Sequence, residues 1–229
     1  MDSIKMMEYL KDLGQNNNRE WHHSHKGEYQ EAKEIFEQIV SRLSYLLGEL
    51  DGIIIYQQPK ELIYRLRRDI RFSTDKTPYN PSFRAHISPY GKSMLPLGYY
   101  VSIMPDNQTF LGVGTHTSGM KEITSRVRDY IAEHGDEFEY IVTGAQFSKH
   151  FTLLGDKLTR MPYGYEESHP QAKYLKNKSW YVSAFFTDQQ VLDIDVFYKM
   201  VMEKCEAAKP FKAYLGKALD GYQIPKTKR

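Results

Sequence analysis

Cysteine is nearly absent from this chain of 229 residues, where Cys205 stands alone. One thiol cannot close an internal disulfide, so the sequence points to a reducing compartment and a cytoplasmic location. No apolar run approaches the roughly 20 residues that a membrane helix requires, and no membrane association is expected. The start, Met1-Asp2-Ser3-Ile4-Lys5, has no basic segment leading into an apolar core, so no secretory signal is expected. A strong charge of either sign is missing too, since 31 Lys and Arg stand against 29 Asp and Glu, with a pI near 8.4. That balance excludes a chain-wide polybasic binder and leaves room for a local basic patch. There is no Walker loop, zincin helix or nucleophile elbow. Gly112-x-Gly114 lacks the third glycine of a dinucleotide loop and reads as a turn or a close backbone approach. With no internal repeat or long linker, one domain over residues 1–229 is expected, and Asn16-Asn17-Asn18 reads as a loop.

What is present is an ordinary globular composition, 41% hydrophobic and 26% charged, long enough to bury a core. Ile4, Met7, Leu10 and Lys11 follow helical spacing after an Asp2 or Ser3 cap, and Gly14 with the three asparagines stops that helix. Tyr29, Ala32, Ile35, Phe36, Ile39, Val40, Leu43, Leu46, Leu47 and Leu50 paint one apolar stripe on a longer helix. The middle third changes period. Ile53 to Tyr56 is a short apolar run, and Leu62 to Phe72 is rich in β-formers. From Ser82 to Ser88, Phe83, Ala85 and Ile87 alternate with Arg84 and His86. Gly98 to Met104 and Thr109 to Val113 flank Pro105-Asp106-Asn107-Gln108 as a hairpin. In the last third, Ser118 can cap a helix carrying Met120, Ile123, Val127, Tyr130 and Ile131. Trp180 to Phe186 reads as a strand, and Thr187-x-x-Gln190 as a capping box. Asp195 is expected to cap the next helix, and Pro210 to open the last at its first turn. The fold class is α+β, a mostly antiparallel sheet with N-terminal and C-terminal helices packed on it.

Positive charge is concentrated in residues 60–92. Lys60, Arg65, Arg67, Arg68, Arg71, Lys76, Arg84 and Lys92 face only Glu61, Asp69 and Asp75, while the remainder of the chain is acidic on balance. Arginine dominates, and its planar fork suits bidentate contact with carboxylate or phosphate. On a regular strand over 62–72, Ile63, Arg65, Arg67, Asp69 and Arg71 share one face. Arg68 then falls among Leu66 and Ile70 on the apolar face unless a bulge re-aims it. Two readings stand side by side. In one, a pocket of guanidinium groups holds an anion and Asp69 orients one arginine. In the other, Arg65, Arg68 and Arg71 pair with Asp69, Asp75 and helix carboxylates as a structural network.

Arg65-x-x-Arg68-Asp69-x-Arg71-Phe72-Ser73-x-Asp75-Lys76-x-x-Tyr79 resembles the signature of the domain of unknown function 2461 family, a bacterial family with related regions in longer fungal proteins. Asn16-Asn17-Asn18-Arg19-Glu20-Trp21, with Lys26 and Tyr29, is similar to its N-terminal element. Gly98-Tyr99-Tyr100 resembles its central strand. Pro162-x-Gly164-Tyr165, His169-Pro170 and Tyr174-Leu175-Lys176-x-Lys178-Ser179 resemble its C-terminal element. The resemblance implies no activity, because the family has none established. It places emphasis on Arg65, Arg68, Asp69, Arg71, Phe72, Lys76 and Tyr79, whereas Arg67 falls at a variable slot. His22 stands where the family pattern leads one to expect an aromatic such as phenylalanine.

Three functional classes follow. The leading one is a protein that binds, or acts on, a small phosphate- or carboxylate-bearing ligand in an arginine-lined pocket. Arg65, Arg68, Arg71, Lys76 and Arg84 would hold the anion, with Asp69, Tyr79 and His86 as candidates for proton transfer. Whether the chain is an enzyme stays open. The alternatives are a nucleic-acid-binding module, which the modest pI disfavours, and a scaffold whose arginines only brace the fold. His22, His23 and His25 lie close together, but no carboxylate or cysteine completes a ligand set. Asp193-x-Asp195 is better explained by helix capping, so no metal and no cofactor is expected.

Overall fold

Helical and alternating periods segregate along the chain as the sequence requires, and the architecture is α+β. The computed structural model describes residues 2–52, 58–89, 91, 98–116 and 120–222. The expected run Ile53 to Tyr56, Lys92 and the Ser118 cap lie outside the described residues. Among those described, the chain opens with α1 (Ser3–Gln15), α2 (Arg19–Ser24), α3 (Lys26–Asp51) and the single turn α4 (Pro59–Leu62). The strands β1 (Phe83–Ile87), β2 (Tyr99–Ile103) and β3 (Thr109–Thr115) follow. Then come α5 (Lys121–Glu133), α6 (Gly135–Thr143), α7 (Ala145–His150) and α8 (Ala172–Leu175), the strand β4 (Trp180–Phe186), and α9 (Asp188–Leu192) and α10 (Ile194–Ala218). The strands form one antiparallel sheet in the order β1-β2-β3-β4. Phe83 pairs with Ile103 and Ile87 with Tyr99. Between β2 and β3, Asp106 and Asn107 take positive φ of 62° and 59°, the twist that suits a tight hairpin. The Asp188 carboxylate accepts both of their amide hydrogens, at 3.0 and 2.9 Å.

The chain folds as two compact units. The first comprises Met1–Ser93, Tyr99–Leu111 and Ala184–Glu203. Its core is the α1–α3 interface, where Met6, Leu10 and Leu13 meet Phe36, Ile39, Val40, Leu43 and Leu47, all fully buried. Phe83 of β1 stacks on Phe36 at 5.4 Å. Each such side chain contributes about 1.5–3 kcal/mol on burial, which adds to the helix-forming composition of α3. The second unit comprises Met94–Gly98, Gly112–Ser183 and Lys204–Arg229. Ile123, Val127 and Ile131 form the buried stripe of α5, and the Phe138 ring lies 4.9 Å from Tyr174 and 5.1 Å from Tyr214. The expected close backbone approach is found at Gly114, whose φ is +117° and where a Cβ would come within 2.4 Å of the Trp180 carbonyl oxygen.

Three local expectations need correction. Leu62 to Phe72 is not a regular strand: α4 takes its first residue, and only Ile63 and Arg67 form isolated bridges, to Ala85 and Tyr79. Asp195 sits inside the first turn of α10, and Asp193 instead accepts the Val196 amide at 3.2 Å. Pro210 lies within α10 rather than opening a helix. The buried stripe Phe197, Val201, Cys205, Ala208, Phe211 and Leu215 runs on both sides of it, so burial along the helix outweighs the bond that proline cannot make. The Thr187 capping box forms as expected. Among the described residues no helix is long and apolar enough to cross a membrane.

Candidate functional site

The arginine-rich segment of the first unit is an excursion from the sheet. Tyr64 donates its amide to the Arg84 carbonyl at 2.8 Å, and the chain then pairs with its own return, Arg68 to Pro78 at 2.9 Å and Asn80 to Leu66 at 2.9 Å. Alternation holds over this stretch: Leu66 is buried while Arg65 and Arg67 are exposed. Beyond it the loop neutralises its own cations. Arg68 is bonded to Asp75 and Thr77. Arg71 forms a forked pair with Asp69, at 2.9 Å from Nε and 2.6 Å from Nη2. These arginines hold both carboxyls down to about 2; at Asp69 the Arg71 side chain is the largest cause, and at Asp75 the Thr77 amide precedes Arg68. Lys76 donates to the Ile70 carbonyl at 3.0 Å. Phe72 is 96% exposed, with the Arg71 guanidinium 5.7 Å from its ring.

The remaining expected side chains are placed apart from that loop. Arg84 donates to the Arg65 carbonyl at 3.1 Å, and its guanidinium lies 5.8 Å from the Tyr64 ring. Its Nε is buried without a hydrogen-bond partner. His86 is buried on β1, opposite Tyr100 in register. The expected cluster therefore does not converge on one point; Arg68, Asp69, Arg71, Lys76 and Arg84 engage internal partners in several directions.

A cavity of about 600 Å³ opens beside them, still within the first unit. It is lined by Arg19, Glu20, His22, His23, Lys26, Tyr29, Arg67 and Tyr79. Three cations thus share it with one carboxylate, and the Arg67 guanidinium has no ionic or hydrogen-bonded partner among the described residues. The three asparagines build this wall. Asn16 donates to the Asp12 carbonyl at 3.0 Å, and Asn18 caps α2 by accepting the Trp21 amide at 2.9 Å. Asn17 grips the backbone of Tyr79 from both sides, donating to its carbonyl at 2.9 Å and accepting its amide at 3.1 Å. The N-terminal motif and the end of the arginine signature are thereby held together.

His22 packs 4.3 Å from the Tyr79 ring, and its Nδ1 lies 2.8 Å from the Tyr9 hydroxyl. Burial, aided by His23, lowers the His22 pKa, while burial raises that of Tyr9. Both shifts hold the pair uncharged, a neutral imidazole beside a neutral phenol, with the His22 ring at the cavity wall and Tyr9 buried behind it. His25 turns elsewhere, stacking on Trp21 at 4.1 Å with Nδ1 2.8 Å from the Trp21 carbonyl oxygen, so His22 and His25 do not face a common point.

Of the residues lining this cavity, the sequence singled out Tyr79 as a candidate and gave Arg67, Arg19 and Lys26 no site role. The signal for Arg67 was its place on the exposed face of the alternation. The signal for Arg19 and Lys26 was their position in a second matched motif, whose distance in sequence hid its proximity in space. No curated protein and no solved structure matches the chain. A family model described as conserved hypothetical protein (DUF2461) matches residues 5–214, which takes in both the asparagine-built wall and the arginine loop. The chain belongs to that family.

Proposed function

We propose that this protein binds a small phosphate- or carboxylate-bearing molecule in the cavity between α2, α3 and the arginine loop. The observation that carries the reading is the Arg67 guanidinium. It lines a concave site with Arg19 and Lys26 and lacks an internal acid, while its neighbours Arg68 and Arg71 each have one. An anion entering there meets unneutralised cations in a recess, where water screens less than on an open surface. The Arg68–Asp75 pair, joined by Thr77, closes the loop next to Arg67. Tyr29 and Tyr79 line the same cavity, and the His22 ring, fixed by its contact with Tyr9, is the group there that can meet a proton of a bound ligand.

Calorimetric titration of the chain with pyrophosphate and with citrate tests this. Arg67→Glu is expected to weaken binding of at least one of them by about tenfold or more, the equivalent of one lost charge-assisted contact. Arg71→Ala should leave the affinity unchanged, because that head is already held by Asp69. Absence of saturable heat for either probe, or equal affinity for wild type and Arg67→Glu, refutes the cavity. A loss confined to Arg68→Ala and Arg71→Ala would move the anion onto the loop's own arginines.

A further inference from the structure

A second cavity, of about 580 Å³, lies wholly within the second unit, and three separate stretches of chain build it. The first wall is one face of α5. Lys121, Thr124, Ser125 and Arg128 recur at the helical interval, opposite the buried stripe Ile123, Val127 and Ile131. The second wall is a short antiparallel pairing, Lys157 opposite Asn177, that brings Asp156, Leu158, Lys178 and Ser179 to the cavity. Its backbone is fixed by the Lys178 amide donating to the Asp156 carbonyl and the Leu158 amide to the Lys176 carbonyl, both at 2.7 Å. Gly155 makes this approach feasible, since its φ is +136° and a Cβ there would come within 2.0 Å of the Ser179 carbonyl oxygen. His116, at the end of β3, forms the third wall, its ring 5.4 Å from Tyr181.

Arg128 joins these walls. Its Nε donates to the Leu175 carbonyl at 2.9 Å and its Nη2 to the Asn177 carbonyl at 2.8 Å, and the guanidinium lies 5.9 Å from the Trp180 ring. A cation held in this way stays fixed while its neighbours move, which lowers the entropic cost of meeting a ligand. No carboxylate neutralises Arg128 in an ion pair among the described residues, and the side chains of Lys121 and Asp156 have no ionic partner there. The cavity thus offers cationic heads, the hydroxyls of Ser125 and Ser179, and one carboxylate without an ionic partner, while the Thr124 hydroxyl donates to the Met120 carbonyl at 3.1 Å. Cations alone would suit any anion. A carboxylate among them repels a bare anion and accepts hydrogen bonds from a donor, so it selects a ligand that carries both.

We infer that this second cavity is a binding site for a phosphate monoester bearing free hydroxyl groups, with Lys121 and Arg128 facing the phosphate and Asp156 accepting from a hydroxyl. The site is independent of the first cavity, and the Lys178-Ser179 end of the C-terminal motif forms part of it. The probes are glycerol 3-phosphate, glycerol and inorganic phosphate, added to the isotopically labelled full chain while backbone amide shifts are followed. Glycerol 3-phosphate is expected to move the amides of Thr124, Ser125 and Ser179 saturably, and glycerol to leave them unmoved. Lys121→Glu, at an exposed position in the first turn of α5, should weaken that response by about tenfold without altering shifts at Arg19 and His23. Asp156→Asn should weaken glycerol 3-phosphate and tighten inorganic phosphate, because it removes both an acceptor and a repelling charge. Unsaturable or absent shifts at those amides, or an unchanged response in Lys121→Glu, overturn the site. An equal effect of Asp156→Asn on the two phosphates overturns the hydroxyl-bearing class. Failure of the first cavity shows instead at Arg19 and His23 and in Arg67→Glu, so the two outcomes are separable.

Discussion

At the scale of single residues, the arginine loop shows how charge is distributed within a basic segment. Asp75 and Asp69 each take one arginine, Arg65 and Arg67 stay outside these pairs, and Arg67 is the one that lines the cavity. Both carboxyl groups carry folded-state pKa values of about 2 against an ordinary 3.8. A group depressed in the folded state contributes stability that is fully present above its ordinary value and is lost as pH falls through the folded one. Both carboxylates are therefore expected to remain ionised at about pH 3 and to protonate only toward 2, as read from their side-chain carbon shifts. Arg71→Ala should raise the Asp69 midpoint toward 3.8 without reaching it, because the residue-71 amide and Arg65 still favour the carboxylate, and should leave Asp75 where it is. A midpoint near 3.8 for Asp69 in the unaltered chain would show that the forked pair does not persist in solution. Because the Arg71–Asp69 pair is exposed, its loss is expected to change the melting temperature little.

At the scale of elements, backbone contact decides what packing alone cannot. β3 can lie against β4 at Gly114 only because no Cβ is there: the position needs both a φ of +117° and the missing atom that would meet the Trp180 carbonyl. Gly114→Ala is expected to destabilise the chain by about 3 kcal/mol or more in denaturant titration, combining a left-handed alanine with a backbone clash. A loss under about 1 kcal/mol would mean that the strands separate there without consequence. The same scale explains α10, where burial on both sides of Pro210 keeps one helix running through a residue that would otherwise break it.

At the scale of the whole molecule, Cys205 reports on folding. It is fully buried in α10, so a disulfide reagent is expected to label it only on unfolding, with a rate that rises with denaturant alongside loss of helical signal. Rapid labelling of the native chain would show that α10 opens locally. The sequence by itself determined the periods: α1, α3, the β2–β3 hairpin, β4 and the Thr187 capping box, and hence the α+β class. It determined too that positive charge gathers around the arginine signature. These are local properties, set by residues within a few positions of one another. Tertiary structure alone decided which cations remain unneutralised and where they meet. Asn17 lies 62 positions from the Tyr79 backbone it grips, and that grip brings Arg19 and Lys26 to the cavity that Arg67 lines. Spacing along the chain cannot report such a meeting, because it is set by how α1, α3 and β1 bury their apolar faces, and the side chains at the cavity are carried there by that burial.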